Sequence, residues 1–199
     1  MTDQADFIRI VKSEVLSEGF SVLKTNTFDY RRRNGQWQQL TRETYDAGDS
    51  TTVLLYNRAQ RTVVLTRQFR FPAFVNGVAD GMLLETPAGK LDKASPEKRI
   101  KEEIREETGY DIQNVTPLFE AYSTPGSVTE KLSFFTAEYE SSNRKEDGGG
   151  LEGEGEDIEV LEMPFDEALG LVRQGQIKDM KTITLLYHAA LHVFDKPVA

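Results

Sequence analysis

Four glutamates crowd the segment "KRIKEEIREETGY", residues 98–110. Carboxylates at this density could hold a hard divalent cation such as Mg²⁺, which prefers oxygen ligands. They could equally form a solvated acidic face whose charges are met by water and by basic neighbours such as Arg99. The direction of each carboxylate therefore matters, and the four are Glu102, Glu103, Glu106 and Glu107.

Helix boundary signals surround these glutamates. Ser95 is a predicted N-cap, Pro96 takes the first helical position, and Glu97 lies in the first turn. Gly109 follows the last turn, where a left-handed residue commonly ends a helix. These signals predict a helix between Ser95 and Gly109 and fix its register.

The register separates the glutamates into two groups. At about 100° per residue, Glu103 and Glu107 fall within about 60° of the stripe set by the two isoleucines of the segment. Glu106 falls about 120° away and Glu102 about 160° away, toward solvent. Glu103 and Glu107 are therefore predicted at the core edge, where they repel and lose hydration unless a cation or a basic group joins them. Spacing alone leaves both interpretations open.

Composition narrows the class of protein. The 199 residues allow one large domain, or a compact domain with an extra subdomain. A net charge of −9 argues against binding nucleic acid, but not against a phosphate compound bound through a divalent cation. The absence of cysteine excludes disulfides and fits a reducing cytosol. The start of the chain lacks the pattern of a signal peptide, and no apolar run is long enough to span a membrane, so we expect a soluble cytoplasmic protein.

The remaining elements predict an α+β fold with a mixed or antiparallel sheet between helical layers. The hairpin signal Asn34-Gly35 lies between alternating runs, so the first third predicts a small antiparallel sheet. Strands are predicted at 7–16, 20–31, 51–57, 61–69 and 133–140. Two closing helices are predicted in "PFDEALGLVRQGQI" and "TITLLYHAALHVF", the second carrying His188 and His192 as peripheral residues. The acidic, glycine-rich residues 147–157 predict a mobile loop.

Residues 88–110, "AGKLDKASPEKRIKEEIREETGY", resemble the Nudix box. That pattern is Gly, five residues, Glu, seven residues, then Arg-Glu-apolar-any-Glu-Glu-any-Gly-apolar, and residues 103–110 match its last eight places in order. The first half departs from it. Thirteen residues separate Gly89 from Glu103 where the pattern has fourteen, Ser95 stands near the first Glu, and Glu102 replaces the Arg.

The resemblance extends over nearly the whole chain, to the GDP-mannose pyrophosphatase branch of the Nudix hydrolases, close to the ADP-ribose pyrophosphatases. It implies an α/β/α sandwich around a mixed sheet (49–199) and a small N-terminal antiparallel sheet (1–48) that is exchanged across a homodimer. The segments that carry it are "RETYDAG", "VVLTRQFR", "LLETPAGKLD", "STPGSVTE", "EDIEVLEMPF" and "IKDMKTITLL".

The resemblance also implies a catalytic metal site. Mg²⁺, for which Mn²⁺ can substitute, would be held by the carboxylates of Glu103 and Glu107 and the main-chain carbonyl of Ala88. Glu106 would be an auxiliary carboxylate. A glutamate of the 147–157 loop would be a metal ligand or general base, and Glu156, Glu154 and Glu152 are the candidates.

Substrate contacts are implied in the same way. Arg70 would hold the diphosphate, and Glu85 would brace the site or simply lie at a strand edge. The other implied contacts are Phe20, Arg42, Glu43, Ala88, Gly89, Lys90, Thr129, Glu130 and Lys181.

The implied reaction is Mg²⁺-dependent hydrolysis of a nucleoside-diphosphate sugar, with GDP-mannose giving GMP and mannose 1-phosphate. The alternatives are an ADP-ribose pyrophosphatase, giving AMP and ribose 5-phosphate, and a nucleotide-sugar sensor without turnover. No nucleic-acid or membrane partner is expected.

Overall fold

The computed structural model describes residues 6–194, apart from the side chain of Glu154. The chain forms two compact units. One holds the described residues up to Asp49 together with Tyr122–Lys131, and the other holds Ser50–Ala121 and the described residues from Leu132 onward.

The first unit is built on a three-stranded antiparallel sheet in the order β1-β2-β3. Its strands are β1 (Ile8–Glu18), β2 (Val22–Arg31) and β3 (Trp37–Asp46). The predicted hairpin is confirmed, because Gly35 adopts a φ of 82° in the turn between β2 and β3. Residues 122–131 join this unit where Tyr45 forms a parallel bridge with Val128.

The second unit contains a seven-stranded sheet. Five strands follow the order β10-β5-β4-β9-β8, while β6 pairs with β5 and β7 pairs with β4. Strands β4 and β9 run parallel and the other registered pairs are antiparallel, so the sheet is mixed, as predicted. The strands are β4 (Ser50–Asn57), β5 (Thr62–Phe69), β6 (Met82–Glu85), β7 (Ala88–Lys90), β8 (Thr116–Tyr122), β9 (Lys131–Glu138) and β10 (Glu159–Pro164).

Four α-helices belong to the described part of the second unit, and two of them end in a π-helical turn. They are α1 (Phe71–Val75), α2 (Pro96–Glu103) with the π turn Ile104–Thr108, α3 (Phe165–Arg173), and α4 (Met180–Ala189) with the π turn Ala190–Phe194. Short 3-10 turns occur at Ser141–Asn143 and Glu152–Glu154. The predicted boundaries of α2 are confirmed, since the Ser95 hydroxyl accepts from the Lys98 amide and Gly109 has a φ of 75°.

Alternating residues of the central strands fill two cores. Leu54 packs in one core with Phe165 of α3 and Leu185 of α4. Its neighbour Val53 packs in the other core with Ile100 of α2. Because successive strand side chains point to opposite faces, the sheet is covered by helices on both sides, and the predicted α/β/α sandwich is confirmed. None of the helices within residues 6–194 combines the length and the apolar character needed to cross a membrane.

Candidate active site

Two glutamates of α2 and its π turn lie buried at the edge of the core. Glu103 is 4% exposed and Glu107 is 1% exposed. The side chains of Glu106 and Glu102 are 30% and 40% exposed. The division predicted from the helical register is therefore confirmed.

Glu107 carries an oxygen that needs a partner. Its Oε2 is buried and has no hydrogen-bond partner among the described residues. Burial, followed by the charges of Glu103 and Glu156, raises the pKa of Glu107 well above its ordinary value, against the opposing charges of Arg70 and Lys181. A buried, orphaned carboxylate oxygen beside a second carboxylate is an arrangement that a cation would satisfy.

Glu103 lies between a glycine and an arginine. A Cβ placed on Gly89 of β7 would overlap the carboxylate of Glu103, so only glycine leaves room for it there. The same carboxylate is paired with the arginine, since Oε1 of Glu103 lies 2.5 Å from Nη2 of Arg99. The loop before the helix therefore brings β7, with Ala88 and Gly89, against the first buried glutamate.

The protein groups do not form a closed metal cage. Within residues 6–194, no group of three or more histidine or acidic side chains is arranged to hold a metal. Mg²⁺ does not require such a cage, because it keeps several waters and commonly binds through one or two carboxylates plus substrate phosphates.

Arg70 and Lys181 meet at one buried carboxylate, that of Glu85 at the end of β6. Nε and Nη2 of Arg70 donate to its two oxygens at 3.0 and 2.7 Å, and Nζ of Lys181 donates at 2.9 Å. Burial alone would raise the pKa of Glu85, but Lys181 and Arg70 outweigh it and hold the pKa below its ordinary value. Glu85 therefore braces two basic residues in the second unit.

Asp179 completes this network and was not predicted from the sequence. Its Oδ1 lies 3.0 Å from Nζ of Lys181, and its Oδ2 accepts from the Thr182 amide at 2.9 Å as the N-cap of α4. Thr182 Oγ1 also accepts from the backbone N–H of Thr86 at 2.7 Å. The helix start therefore fixes the turn that leads from Glu85 toward Ala88. The Asp-x-x-Thr spacing could have identified the cap but not its ion pair.

The glycine-rich loop is docked rather than free over its first half. Gly149 and Gly150 donate their amides to the carbonyls of Glu107 and Glu106 at 2.9 and 3.0 Å. A Cβ on Gly148 would overlap the backbone of Glu107 and Thr108. The expectation of a mobile loop is therefore wrong for Gly148–Gly150, because composition does not distinguish glycines that give flexibility from glycines that allow close approach.

The three candidate loop glutamates differ in their surroundings. Glu156 has its Oε2 within 2.9 Å of the Leu151 amide, and its charge is one of those that raise the pKa of Glu107. Glu152 is exposed in its 3-10 turn, and the side chain of Glu154 lies outside what the structure describes. Glu106 has an oxygen 3.5 Å from Nη1 of Arg99.

A separate cleft of about 550 Å³ lies in the first unit. It brings together three of the residues singled out in the sequence, and two aromatic side chains also line it. Phe20 and Glu130 do not belong to its lining: Phe20 is 88% exposed in the turn between β1 and β2. The predicted residues in the cleft are Arg42, Glu43 and Thr129, and the aromatic ones are Phe28 and Tyr122.

The two histidines pack against other rings. The rings of His188 and His192 lie 4.7 Å apart, and His188 meets Phe119 edge to face. Burial and the neighbouring histidine lower the pKa of His188. These contacts agree with their interpretation as peripheral residues of the closing helix.

Comparison with known proteins covers the chain in two parts. Residues 46–185 match the NUDIX domain, and residues 7–45 match the GDP-mannose pyrophosphatase NudK N-terminal domain. The GDP-mannose pyrophosphatase of Pectobacterium atrosepticum is 54% identical over 184 residues, 92% of this chain and 94% of the relative. That of Salmonella typhimurium is 50% identical over 189 residues (94% and 98%), and that of Cronobacter sakazakii is 49% identical over 184 residues (92% and 95%).

Proposed function

The chain belongs to the Nudix family, and we propose that it is a Mg²⁺-dependent pyrophosphatase that hydrolyses GDP-mannose to GMP and mannose 1-phosphate. The observation that carries the proposal is the buried, unpartnered Oε2 of Glu107 beside Glu103. Mn²⁺ is expected to substitute for Mg²⁺, since it accepts the same oxygen ligands.

Glu103, Glu107 and the carbonyl of Ala88 would hold Mg²⁺, with Glu156 as a further ligand or as the base. When bound, the ion supplies positive charge that neutralises the diphosphate oxygens. Glu106, half-exposed beside this group, is an auxiliary carboxylate. Without a cation, burial of Glu103 and Glu107 side by side is unfavourable, which supports this assignment.

Arg70 and Lys181 would bind the diphosphate. Glu85 contacts Nε and Nη2 of Arg70, which fixes the guanidinium plane and points Nη1 away from that ion pair. The side chain of Arg70 is 40% exposed, so it can reach an incoming phosphate. A planar guanidinium of fixed orientation suits the charge that develops on non-bridging oxygens. Gly89 and Lys90 would approach the substrate from β7.

Water attacks one phosphorus of the diphosphate, the bridging P–O bond breaks, and each product keeps one phosphate. A loop glutamate takes the proton of the attacking water. Glu156 is the assigned base because the resemblance, aligned on "EDIEV", points to it among the loop glutamates. Glu152 and Glu154 remain alternatives that substitution of each loop glutamate would separate.

The cleft of the first unit supports a role for Arg42, Glu43 and Thr129 at the nucleoside or sugar end of the substrate. A guanidinium and a carboxylate that line one cleft can donate to and accept from a guanine edge. Phe20 and Glu130 are assigned to the same end of the substrate by resemblance alone.

We further propose that the protein is a homodimer whose N-terminal sheets meet. Large apolar side chains of β1 are exposed, and exposed apolar surface gains free energy when a partner covers it. Two copies of the sheet offer such a cover. The exposed side chains are Ile10, Val11, Val15 and Leu16.

Product identification tests the proposed reaction. Purified protein with Mg²⁺ is expected to convert GDP-mannose to two phosphomonoesters faster than ADP-ribose or other nucleoside-diphosphate sugars. Glu103→Gln should abolish turnover, whereas Glu97→Gln, an exposed glutamate of the same helix paired with Lys101, should not. If the panel yields no phosphomonoester with Mg²⁺ or Mn²⁺, the enzyme proposal is wrong and nucleotide-sugar binding without turnover becomes the better explanation.

A further inference from the structure

We propose that Arg99 is a positioning residue that holds the carboxylate of Glu103 in place for cation binding. The link from this positioning to catalysis rests on the proposed function. The positioning itself is a property of the free protein and can be measured without substrate.

Two charged residues of the Nudix box pattern are replaced by other residues in this chain. Glu102 stands where the pattern has arginine, so the residue just before the first buried glutamate is acidic. Ser95 stands near the place of the first glutamate of the pattern and serves as the N-cap of α2 instead. The helix therefore needs another basic group to offset its carboxylates.

Arg99 supplies that group through several contacts. Its Nη2 lies 2.5 Å from Oε1 of Glu103, and its Nη1 lies 3.5 Å from an oxygen of Glu102 and 3.5 Å from an oxygen of Glu106. The side chain is only 18% exposed. One guanidinium thus reaches three of the four glutamates, and its closest contact is with the buried one.

A further contact ties the arginine to the strand that faces Glu103. Nε of Arg99 donates to the carbonyl of Lys90, at the end of β7, at 3.2 Å. The same strand contributes Gly89, against which the Glu103 carboxylate lies. Because the donors of a guanidinium point in fixed directions, anchoring Nε on β7 fixes where Nη2 holds Glu103.

The neighbouring lysine cannot play this part. Lys98 reaches only Glu102, at 3.8 Å, and its side chain is 72% exposed. It carries the same charge as Arg99 on the same turn of the helix, but among the described residues it contacts no buried carboxylate. Lys98→Gln is therefore a matched control for the loss of one positive charge.

Positioning and simple charge balance predict opposite effects on cation binding. If Arg99 acts only through its charge, its removal makes the site more negative, and a divalent cation binds more tightly. If Arg99 positions Glu103, its removal frees that side chain, and binding weakens. Loss of an outer-shell partner of a metal ligand typically costs about 10–100-fold in affinity or activity.

The test is titration of the full-length protein and its variants with Mn²⁺, followed by electron paramagnetic resonance without substrate. We expect Arg99→Gln to raise the Mn²⁺ dissociation constant about tenfold or more. Lys98→Gln should leave the constant nearly unchanged. Arg99→Lys keeps the charge but loses the fixed donor geometry of the planar guanidinium. Its Mn²⁺ dissociation constant should therefore lie between those of wild type and Arg99→Gln.

Two outcomes would overturn the positioning role: unchanged or tighter Mn²⁺ binding by Arg99→Gln, or equal weakening in Lys98→Gln. Thermal unfolding of each variant checks the fold. If Arg99→Gln does not fold, the titration of Arg99→Lys decides, because unaltered Mn²⁺ binding by that variant would show that the guanidinium geometry is not needed. At saturating Mn²⁺, kcat should fall in Arg99→Gln while KM changes little. If wild type binds Mn²⁺ as expected but hydrolyses no nucleotide sugar, the proposed reaction fails and the positioning role stands.

Discussion

At Glu107, one carboxylate meets opposite demands from folding and from cation binding. Its burial, together with the charges of Glu103 and Glu156, raises its pKa and makes the ionised form unfavourable in the metal-free fold. The same buried oxygen is available to a cation that would offset this cost. Stability and activity should therefore respond in opposite directions when the charge at this position is removed.

We expect Glu107→Gln to raise the melting temperature of the metal-free protein at neutral pH by ~2–4 °C. For a chain of this size, that shift corresponds to a gain on the order of 1 kcal/mol in the free energy of unfolding. Turnover of GDP-mannose should fall by at least about 100-fold, because losing even an outer-shell partner of a metal costs 10–100-fold. Calorimetry with excess chelator and a phosphate-release assay measure the two effects. A variant that melts lower than wild type without metal would contradict this account.

The difference in stability between Glu107→Gln and wild type should change with pH in one direction. A carboxyl whose pKa is raised by folding stabilises the fold at pH values below its ordinary pKa, near 4.5. This stabilisation is lost as the pH rises through the pKa of the folded state. The gap between Glu107→Gln and wild type should therefore widen from acidic to neutral pH in chelator. Saturating Mg²⁺ should close the gap, and a gap that is constant with pH would count against a titrating Glu107.

Gly89 tests the placement of the other buried glutamate. Gly89→Ala would push the carboxylate of Glu103 aside, and because that carboxylate is the end of a flexible side chain, the fold should lose less than about 1 kcal/mol. Misplacing a catalytic group by about 1 Å can cost 100-fold in rate, so turnover should fall on that order. Gly170→Ala in α3, where a Cβ meets only an ordinary contact, is the control. Equal activity of the two variants would disprove the placement.

Individual residues of the site were predictable where a period or a cap fixed their direction. The helical register separated Glu103 and Glu107 from Glu102 and Glu106 because burial on a helix follows its angle. It could not reveal the ion pair of Glu85 with Lys181, since that contact depends on where α4 begins relative to β6. Long-range side-chain pairs leave no trace in local spacing.

Among the elements, the glycine-rich loop and the end of the α2 helix act as one piece. The amides of Gly149 and Gly150 satisfy two carbonyls that the helix end leaves open. Gly148 and Gly155 have the same φ of 74°, but only Gly148 lies against backbone. This pair separates the effect of left-handed strain from the effect of close packing.

We expect Gly155→Ala to cost about 1–2 kcal/mol from the left-handed conformation alone. Gly148→Ala should cost about 1–3 kcal/mol more, since a methyl group there overpacks against Glu107 and Thr108. Urea unfolding measures the free energies of both variants, and turnover should fall further in Gly148→Ala because the displaced loop carries Glu156. Equal costs would mean that the loop is not docked on the helix.

Secondary structure was predictable where the sequence states its boundaries. Ser95, Pro96 and Gly109 bound the α2 helix, and Asn34-Gly35 marks the first hairpin. The π turn at Ile104–Thr108 was not predictable, because a change of winding leaves no residue pattern of its own. The short helix α1 was missed as well, since its five residues are too few to define a helical pattern and none of them is buried.

At the scale of the whole molecule, the proposed dimer makes the first unit the place where association is decided. Leu16→Lys on β1 should weaken self-association by at least about 100-fold, because each of the two copies loses a buried leucine worth about 1.5–3 kcal/mol. Sedimentation would then show a shift from twice the 22.5 kDa chain mass toward one chain. Leu191→Lys, an exposed leucine of the last π turn, is the control. A wild-type protein that sediments as a monomer contradicts the proposal.

The composition of the first unit has a consequence for synthesis of the chain. Tyr45 donates its amide to the carbonyl of Ser127 and accepts from the Thr129 amide, although Tyr45 and Ser127 are 82 positions apart. Strands β1, β2 and β3 can leave the ribosome and pair early, whereas the cleft with Arg42 and Glu43 gains its other wall only after residues 122–131 emerge. Closing so long a loop is slow. The nascent sheet therefore remains without the second wall of its cleft until residues 50–121 and then residues 122–131 have been translated.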